Sequence, residues 1–285
     1  MAGLPPWIVM DSLIQSWLVE DIGRGDRTTQ GLLAGKASNA TAEWIAKASG
    51  IVVGLPLANR VFQFLDANVR FVGMAKEGQW CEAGKQIAKI EGTLDGLLTG
   101  ERVALNLVMR LSGIATLTCE YAKQIAGLQT RLVDTRKTTP GLRVLEKYAS
   151  QLGGAINHRM GLDDAVMIKD NHIAAAGGIR DAIAQIRGNM PYPLTIEVET
   201  ENLEQVEEAL QHGADIIMLD NMELKLMTLA VRKIRDHNSK IKIEASGNIT
   251  LDNIRAVALT GVDYISTSAP ITQSKWLDLS MRILL

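Results

Sequence analysis

Six short apolar runs recur between about residue 130 and residue 268: "RLVDT", "AVMIK", "LTIEVE", "DIIMLD", "IKIEAS" and "DYISTS". Helical patterns separate them, among them "GLRVLEKYASQLG", "GGIRDAIAQIRG", "NLEQVEEALQHG", "MELKLMTLAVRKIRDH" and "TLDNIRAVALTG". Apolar runs of strand length alternating with amphipathic helices specify βα units and a parallel sheet. At least six such units, with no dinucleotide-type glycine fingerprint, favour a parallel α/β barrel over a doubly wound sheet. In such a barrel every strand points the same way, so the C-terminal strand ends open on one face, where active sites form.

Residues 1–113 read differently and are expected to form a separate α/β domain, with the barrel beginning at 114. "DSLIQSWLVEDIG" predicts a helix opened by Asp11, with Leu13, Ile14, Trp17 and Leu18 on one face. "EDIGRGDRTT" reads as a polar loop and contact surface. "ATAEWIAKASGIVVGLP" predicts a strand with a glycine-marked bend, and "VRFVGMAKEGQWCEAGKQIAKIEG" predicts small hairpins. "LTGERVALNLVMRLSGIATLTCEYAKQIAG" predicts a long helix interrupted near Gly113.

The strand ends carry the chemistry. The first ends in Asp134, Arg136 and Lys137, the second in Lys169, Asp170, Asn171 and His172, and the third in Glu197 and Glu199. Asp220 and Asn221 close the fourth, Glu244, Ser246 and Gly247 the fifth, and Ser266, Thr267 and Ser268 the sixth. Helix capping explains one or two of these; six ends carrying charges demand partners or a ligand, because an unpaired buried charge is costly. Arg136, Lys137 and Lys169, with His158 and Arg159 just before the second strand, form a cationic set around the acids Glu199 and Asp220. Ser246 and Gly247 are expected to lie directly before a helix whose free N–H groups would cradle a phosphate. Of Glu197 and Glu199, only one is expected to face the barrel interior. Asp170 and His172 are expected to pair and cap, and Asp163 and Asp164 to form a surface pair. The pattern suits an anion carrying phosphate and carboxylates, with a divalent metal between phosphates and acids.

With 30 basic and 32 acidic residues the formal net charge is -2, so nothing global attracts nucleic acid or an anionic membrane, and any anion site is local. Only 4% of residues are aromatic, too few for base-stacking platforms. Cys81 and Cys119 have no metal or disulfide spacing and read as buried apolar thiols. No signal segment and no uncharged membrane-length stretch is recognised, so a cytoplasmic enzyme is expected.

"DTRKTTPGLRVLEKYA", "GGAINHRMGLDDAVMIKDNHI", "IEVE", "IMLDN" and "EASGNI" resemble the quinolinate phosphoribosyltransferase family. "EDIGRGDRTT", "GIVVGLPLANRVF" and "ERVALNLVMRLSGIAT" are similar to that family's N-terminal segments, in the same order. The resemblance implies an N-terminal α/β sandwich (1–113) on which a C-terminal tail (275–285) packs back, and an incomplete α/β barrel (114–274). It implies transfer of the phosphoribosyl group of phosphoribosyl pyrophosphate (PRPP) to quinolinate with decarboxylation, giving nicotinate mononucleotide, pyrophosphate and CO2 in de novo NAD biosynthesis. Mg2+ would accompany the pyrophosphate, held by Glu199 and Asp220 directly or through water. Quinolinate would be bound by Arg136, His158, Arg159 and, from a neighbouring subunit of a homodimer or larger assembly, Arg102. Lys137 and Lys169 would lie near the substrate anions, and Glu199 and Asp220 would stabilise charge on the ribose. The PRPP phosphates would rest on Lys169, Ser246, Gly247, Ser266 and Ser268. Where the family commonly has Ser-x-Gly at the last strand end, "STSAPIT" has Ser268, and Pro270 lengthens the link that follows.

Three rival readings remain at this level: a relative on the same scaffold that prefers another substrate, a Schiff-base aldolase using Lys169, and a sugar-phosphate-binding regulator.

Overall fold

The computed structural model describes residues 3–36 and 38–284. The chain divides into two compact units, one drawn from Met1–Leu117, Val144–Gly153 and Gln273–Leu285, the other from Thr118–Arg143 and Gly154–Thr272. In chain order the first segment contains α1 (Trp7–Ile22), α2 (Arg27–Leu33), β1 (Asn39–Ala46), β2 (Gly50–Val52), α3 (Leu55–Leu65), β3 (Arg70–Gly73), β4 (Gln79–Cys81), β5 (Gln86–Thr93) and α4 (Leu94–Gln124). There follow β6 (Arg131–Val133), α5 (Arg143–Leu152), β7 (Val166–Ile168), α6 (Asp170–Ala176), α7 (Ile179–Asn189), β8 (Ile196–Thr200) and α8 (Leu203–Gln211). The chain continues through β9 (Ile216–Asp220), α9 (Leu224–His237), β10 (Lys242–Ser246), α10 (Ile254–Ala258), β11 (Tyr264–Ser266), α11 (Ala269–Thr272) and β12 (Leu279–Leu284).

The first unit is built on an antiparallel sheet of order β12-β1-β5-β3. The tail strand β12 pairs along β1, with Trp44 opposite Met281 and Ala46 opposite Leu279. Alternation along β1 buries Ala42, Trp44 and Ala46 on one face, as a half-buried strand must. Trp44 makes edge contacts with the rings of Phe62 and Phe71 at 6.2 and 6.1 Å. Each such aromatic pair adds about 0.5–1.5 kcal/mol beyond the area it buries. Helix α1 starts after Pro6, four residues before Asp11; Asp11 instead binds Arg60 at 2.6 Å, and Met10, Ile14 and Leu18 form the buried face. The segment read as a polar loop contains α2, capped by Asp26, whose carboxylate accepts from the Thr29 N–H (3.0 Å) and hydroxyl (2.6 Å). Both cysteines are free and half-buried rather than fully enclosed.

Helix α4 runs unbroken through Gly113. The glycine serves close approach rather than a break: a Cβ there would lie 2.0 Å from the carbonyl oxygen of Lys275, in the segment leading to β12. This helix is long and apolar enough to cross a membrane by composition, yet 61% of its most apolar window is buried within the protein. In the first unit it carries Arg110, bonded to the buried Glu146 at 2.7 Å, and Ser112, bonded to the Val53 N–H at 2.9 Å, as a core helix does. The Arg110–Glu146 pair, with Tyr148 donating to Glu77 at 3.0 Å, explains why Val144–Gly153 groups with the first unit although the sequence places it among the barrel helices.

The second unit is an incomplete α/β barrel. Its six parallel strands run β6-β11-β10-β9-β8-β7, so β6 and β7 are the end strands, and Ile156 adds a parallel bridge to Val133 on the outer side of β6. All six apolar runs of the sequence became these strands. Strand interiors such as Val198, Ile217, Leu219, Ile243 and Ala245 are buried, as expected where helices cover the outer face. The register aligns Glu199, Met218, Glu244 and Tyr264 in one layer and Asp220, Ser246 and Ser266 in the next toward the C-terminal ends. Paired residues of a parallel sheet share a face, so these two layers present their side chains together.

Candidate active site

A cavity of about 540 Å³ opens at the C-terminal strand ends of the barrel. Thr135, Arg136, Lys137, His158, Arg159, Lys169, Glu199, Asp220, Glu244, Ser246, Gly247 and Ser266 are among its lining residues. The size suits a small organic ligand. A larger open concavity of about 740 Å³ lies on the first unit, around Asp66 and Glu91. Those acids are already used: Asp66 accepts from the Thr93 and Asn68 N–H groups, and Glu91 pairs with Lys89 at 2.6 Å.

The loop after β6 is anchored from below. Asp134 is buried and accepts from Asn157 Nδ2 (2.7 Å) and the His158 N–H (2.8 Å), tying this loop to the one that carries His158 and Arg159. The Thr135 hydroxyl accepts from the Lys137 N–H at 3.0 Å, and the Thr138 hydroxyl accepts from Arg143 Nε at 3.0 Å. Thr138 therefore shapes the loop. Gly141 takes φ +81° and turns the chain into α5. So held, Arg136 and Lys137 reach the cavity, and neither makes an ion pair with a described residue. Arg159 donates to the Ala165 carbonyl at 2.8 Å. Burial, and then the neighbouring Arg136 charge, lower its affinity for its proton, a repulsion that an anion between the two guanidiniums would relieve.

Lys169, at the end of β7, forms a short ion pair with Glu199. Its backbone N–H is taken by His172 Nδ1 at 3.0 Å, so His172 caps α6, while Asp170 bonds the Asn171 N–H rather than His172. Asp220 is pushed above the ordinary carboxyl range by burial and then by the Glu199 charge; Asn221 Nδ2 donates to it at 2.7 Å. Two half-desolvated carboxylates of like charge on one cavity wall suit a hard divalent cation that takes oxygen ligands and shares them with a bound phosphate.

Glu197 and Glu199 both face inward, against the expectation that only one would. Residues two apart on a strand share a face, so the spacing itself required it. Glu199 reaches Lys169. Glu197, 3% exposed, lies deeper, with its Oε2 3.2 Å from His158 Nε2. Glu244, 4% exposed, approaches the same nitrogen at 3.6 Å. The other imidazole nitrogen, Nδ1, accepts from the Arg159 N–H at 2.8 Å. The ring is thus engaged on both nitrogens, and its Nε2 proton points into the acid pair rather than toward a ligand. Burial, then the Glu197 charge, push the Glu244 carboxyl up to about 7, with His158 opposing.

The phosphate edge differs from expectation in two places. Helix α10 begins at Ile254, not directly after Gly247, and has only five residues. The turn itself supplies the donors: the Gly247 and Asn248 N–H groups have no partner among the described residues. Gly247 takes φ +91° against the loop after β9; Asn221 in that loop and Asn248, which follows Gly247, also adopt left-handed backbone and bond each other at 2.9 Å. Ser266 lines the cavity but Ser268 does not; its carbonyl receives the Ile271 and Thr272 N–H groups and starts α11, which contains Pro270. Asp164 accepts from the Met160 N–H at 2.8 Å and so does more than sit at the surface. Arg102 lies outside this set, exposed on α4 in the first unit.

Comparison with known proteins agrees with this geometry. Residues 26–112 match the N-terminal domain, and residues 114–282 the C-terminal domain, of quinolinate phosphoribosyl transferase. The chain is 61% identical over 283 residues to a probable nicotinate-nucleotide pyrophosphorylase [carboxylating] of Synechocystis sp., covering 99% of this chain and 95% of that one. It is 44% identical to the protein of the same description from Bacillus subtilis, over 97% and 94% of the two chains. The solved nicotinate-nucleotide pyrophosphorylase from Francisella tularensis superposes with a TM-score of 0.93 at 38% identity, over 100% of this chain and 99% of that one. Matches that span both domains, joined to a strand-end cavity of arginines, lysines and paired acids, leave one conclusion: the chain belongs to the quinolinate phosphoribosyltransferase family.

Proposed function

We propose that this chain transfers the phosphoribosyl group of PRPP to quinolinate with decarboxylation, as a pentosyltransferase of de novo NAD biosynthesis. The observation that carries the reading is the cavity's charge pattern: Arg136 and Lys137 without ion-pair partners, beside Arg159, facing a wall of Glu199 and Asp220. A dicarboxylate needs the first set, and an electron-poor ribose needs the second. Arg136 and Arg159 grip the quinolinate carboxylates; guanidinium forks match carboxylates in plane and number. The unpaired N–H groups of Gly247 and Asn248, with Ser246 and Ser266, receive phosphate oxygens.

The ring nitrogen attacks C1 of the ribose as pyrophosphate departs. Positive charge builds on the sugar, and the carboxylates of Glu199 and Asp220 stabilise it from a fixed, partly desolvated position. Lys169, paired with Glu199, offers its ammonium to the departing anion. Lys137 supplies a second cation from the loop after β6. Glu199 and Asp220 would hold Mg2+, directly or through water, and the ion would supply positive charge to the pyrophosphate. Once alkylated, the ring nitrogen is cationic and its charge stabilises the electron pair that decarboxylation leaves on the adjacent carbon, so no organic cofactor is required.

The deciding experiment follows carboxyl-labelled quinolinate. Purified protein with Mg2+ should release labelled CO2 only when PRPP is present, with nicotinate mononucleotide formed in equal amount. Folded protein that releases none would overturn the reading in favour of another substrate on the same scaffold. Borohydride-stable trapping of a carbonyl compound on Lys169 would instead support the aldolase reading.

The enzyme works in the cytoplasm as a homodimer or larger assembly in which Arg102 of one subunit completes the site of its neighbour. The support is that Arg102 is exposed on α4 and is not among the residues lining the cavity. Arg102→Ala and Lys137→Ala proteins, each inactive, should regain activity when mixed, since some hybrid sites then hold both wild-type residues. No recovery after demonstrated subunit exchange would exclude the shared site.

A further inference from the structure

The floor of the cavity holds a group that the transfer step does not use. Decarboxylation breaks the bond between the ring carbon C2 and its carboxylate and leaves the electron pair on C2. The product carries hydrogen there, so a proton must arrive once CO2 leaves. Arg136, Arg159, Lys137 and Lys169 are committed to anions, and Glu199 and Asp220 work as carboxylates.

Glu244 has the required properties. It lines the cavity, yet the residue is 4% exposed. Its Oε1 is buried and has no hydrogen-bond partner among the described residues, and the same is true of Glu197 Oε1. Glu197 and Glu244 converge on the single Nε2 of His158, at 3.2 and 3.6 Å. In a buried site, a second carboxylate this close favours the protonated form of Glu244. The titratable groups facing Glu244 are Glu197 from β8, His158 from the loop before β7 and Lys169 at the end of β7, with the Ser266 hydroxyl on β11. Burial and Glu197 outweigh His158, Ser266 and Lys169, and the carboxyl is pushed up to about 7.

The trio of His158, Glu197 and Glu244 brings three potential ligand atoms within 4.8 Å of one another. It is nevertheless a proton store rather than a metal site. His158 Nδ1 is an acceptor, so Nε2 carries the proton and has no lone pair to give.

We propose that Glu244 is the acid that protonates C2 of the pyridine ring after CO2 leaves, with Glu197 and His158 as the residues that keep its proton in place. The O–H bond of Glu244 breaks, the C2 electron pair takes the proton, and the carboxylate left behind regains a proton from solvent after product release. This assignment rests on the reaction proposed above.

The E244Q protein tests it, because glutamine keeps the shape and polarity and removes the acid. Until C2 is protonated the carbanion can recapture the CO2 beside it, so quenched-flow measurement should show pyrophosphate and the undecarboxylated nucleotide forming in the first turnover while net CO2 release slows about a hundredfold, within the range typical of a lost general acid. Quinolinate binding should be unchanged. Release of CO2 and pyrophosphate together at the wild-type rate would overturn the assignment, as would loss of quinolinate binding in proportion to rate. An independent arm uses E197Q. Removing the like charge makes Glu244 a stronger acid, so the alkaline limb of the kcat–pH profile should move to lower pH; an unmoved limb overturns the proposal even if E244Q does not fold. Wild-type enzyme that releases no CO2 would refute the reaction itself, a result separate from either variant.

Discussion

Arg136→Ala raises the KM for quinolinate about a hundredfold and leaves that for PRPP nearly unchanged. Arg136 sits where the loop after β6 meets the cavity, with no ion pair to a described residue, so its charge is available to a ligand. Hydrogen bonds to a charged group contribute about 1.5–3 kcal/mol, and 1.4 kcal/mol is a tenfold change in affinity. The upper part of that range applies because a guanidinium fork can meet a carboxylate with two hydrogen bonds at once. Arg136→Lys should fall between: the charge survives, the planar fork does not. Initial-rate kinetics with each substrate varied in turn settles the matter. Equal loss for both substrates would mean that the arginine holds the loop rather than the dicarboxylate.

The second large effect is expected from Gly247→Ala, and it falls on the other substrate. An added Cβ would lie 2.2 Å from Asn221 Oδ1, 2.5 Å from its Cγ and 2.9 Å from its backbone nitrogen. The side chain could swing aside, but the backbone nitrogen donates to the Ser246 carbonyl at 2.9 Å and is fixed to the sheet. The φ of +91° is itself unfavourable for alanine. The turn must move, and its two unpaired N–H groups move with it. The KM for PRPP should rise by roughly ten- to a hundredfold, matching one or two lost charge-assisted hydrogen bonds, while quinolinate binding to the free enzyme is little changed. Wild-type affinity for PRPP in this variant would show that the turn does not contact phosphate.

The barrel was legible because its strands are covered on both faces. Such strands read as apolar runs, and each run ends where its polar C-terminal residue enters the cavity. "RLVDT" through "DYISTS" therefore marked β6 through β11 and the cavity floor together. Glycine was harder to read, because one residue type serves opposite purposes. At Gly141 it turns the chain. At Gly113 it lets a backbone carbonyl 162 positions along the chain touch a helix that never breaks, and no local pattern encodes a contact that distant. The run "EASGNI" suggested a helix start after Gly247, whereas Asn248 and Asn253 instead build a bonded turn before α10. Ser268 looked like a phosphate contact by position, but its backbone is consumed in starting α11. The inward pair Glu197 and Glu199 was recoverable from their spacing of two alone. The convergence of Glu197 and Glu244 on His158 was not, since it depends on three segments meeting.

The tail strand β12 has a consequence for how the protein is made. It forms one edge of the sheet that β1 otherwise begins, so the first unit needs residues 279–284 to complete it. On a ribosome the first part of the chain to emerge is therefore among the last to be finished. Until the tail arrives, β1 offers an unpaired edge, the kind of surface that invites pairing with another chain. The barrel strands, each close in sequence to its neighbours from β7 to β11, can assemble while the earlier sheet is still waiting.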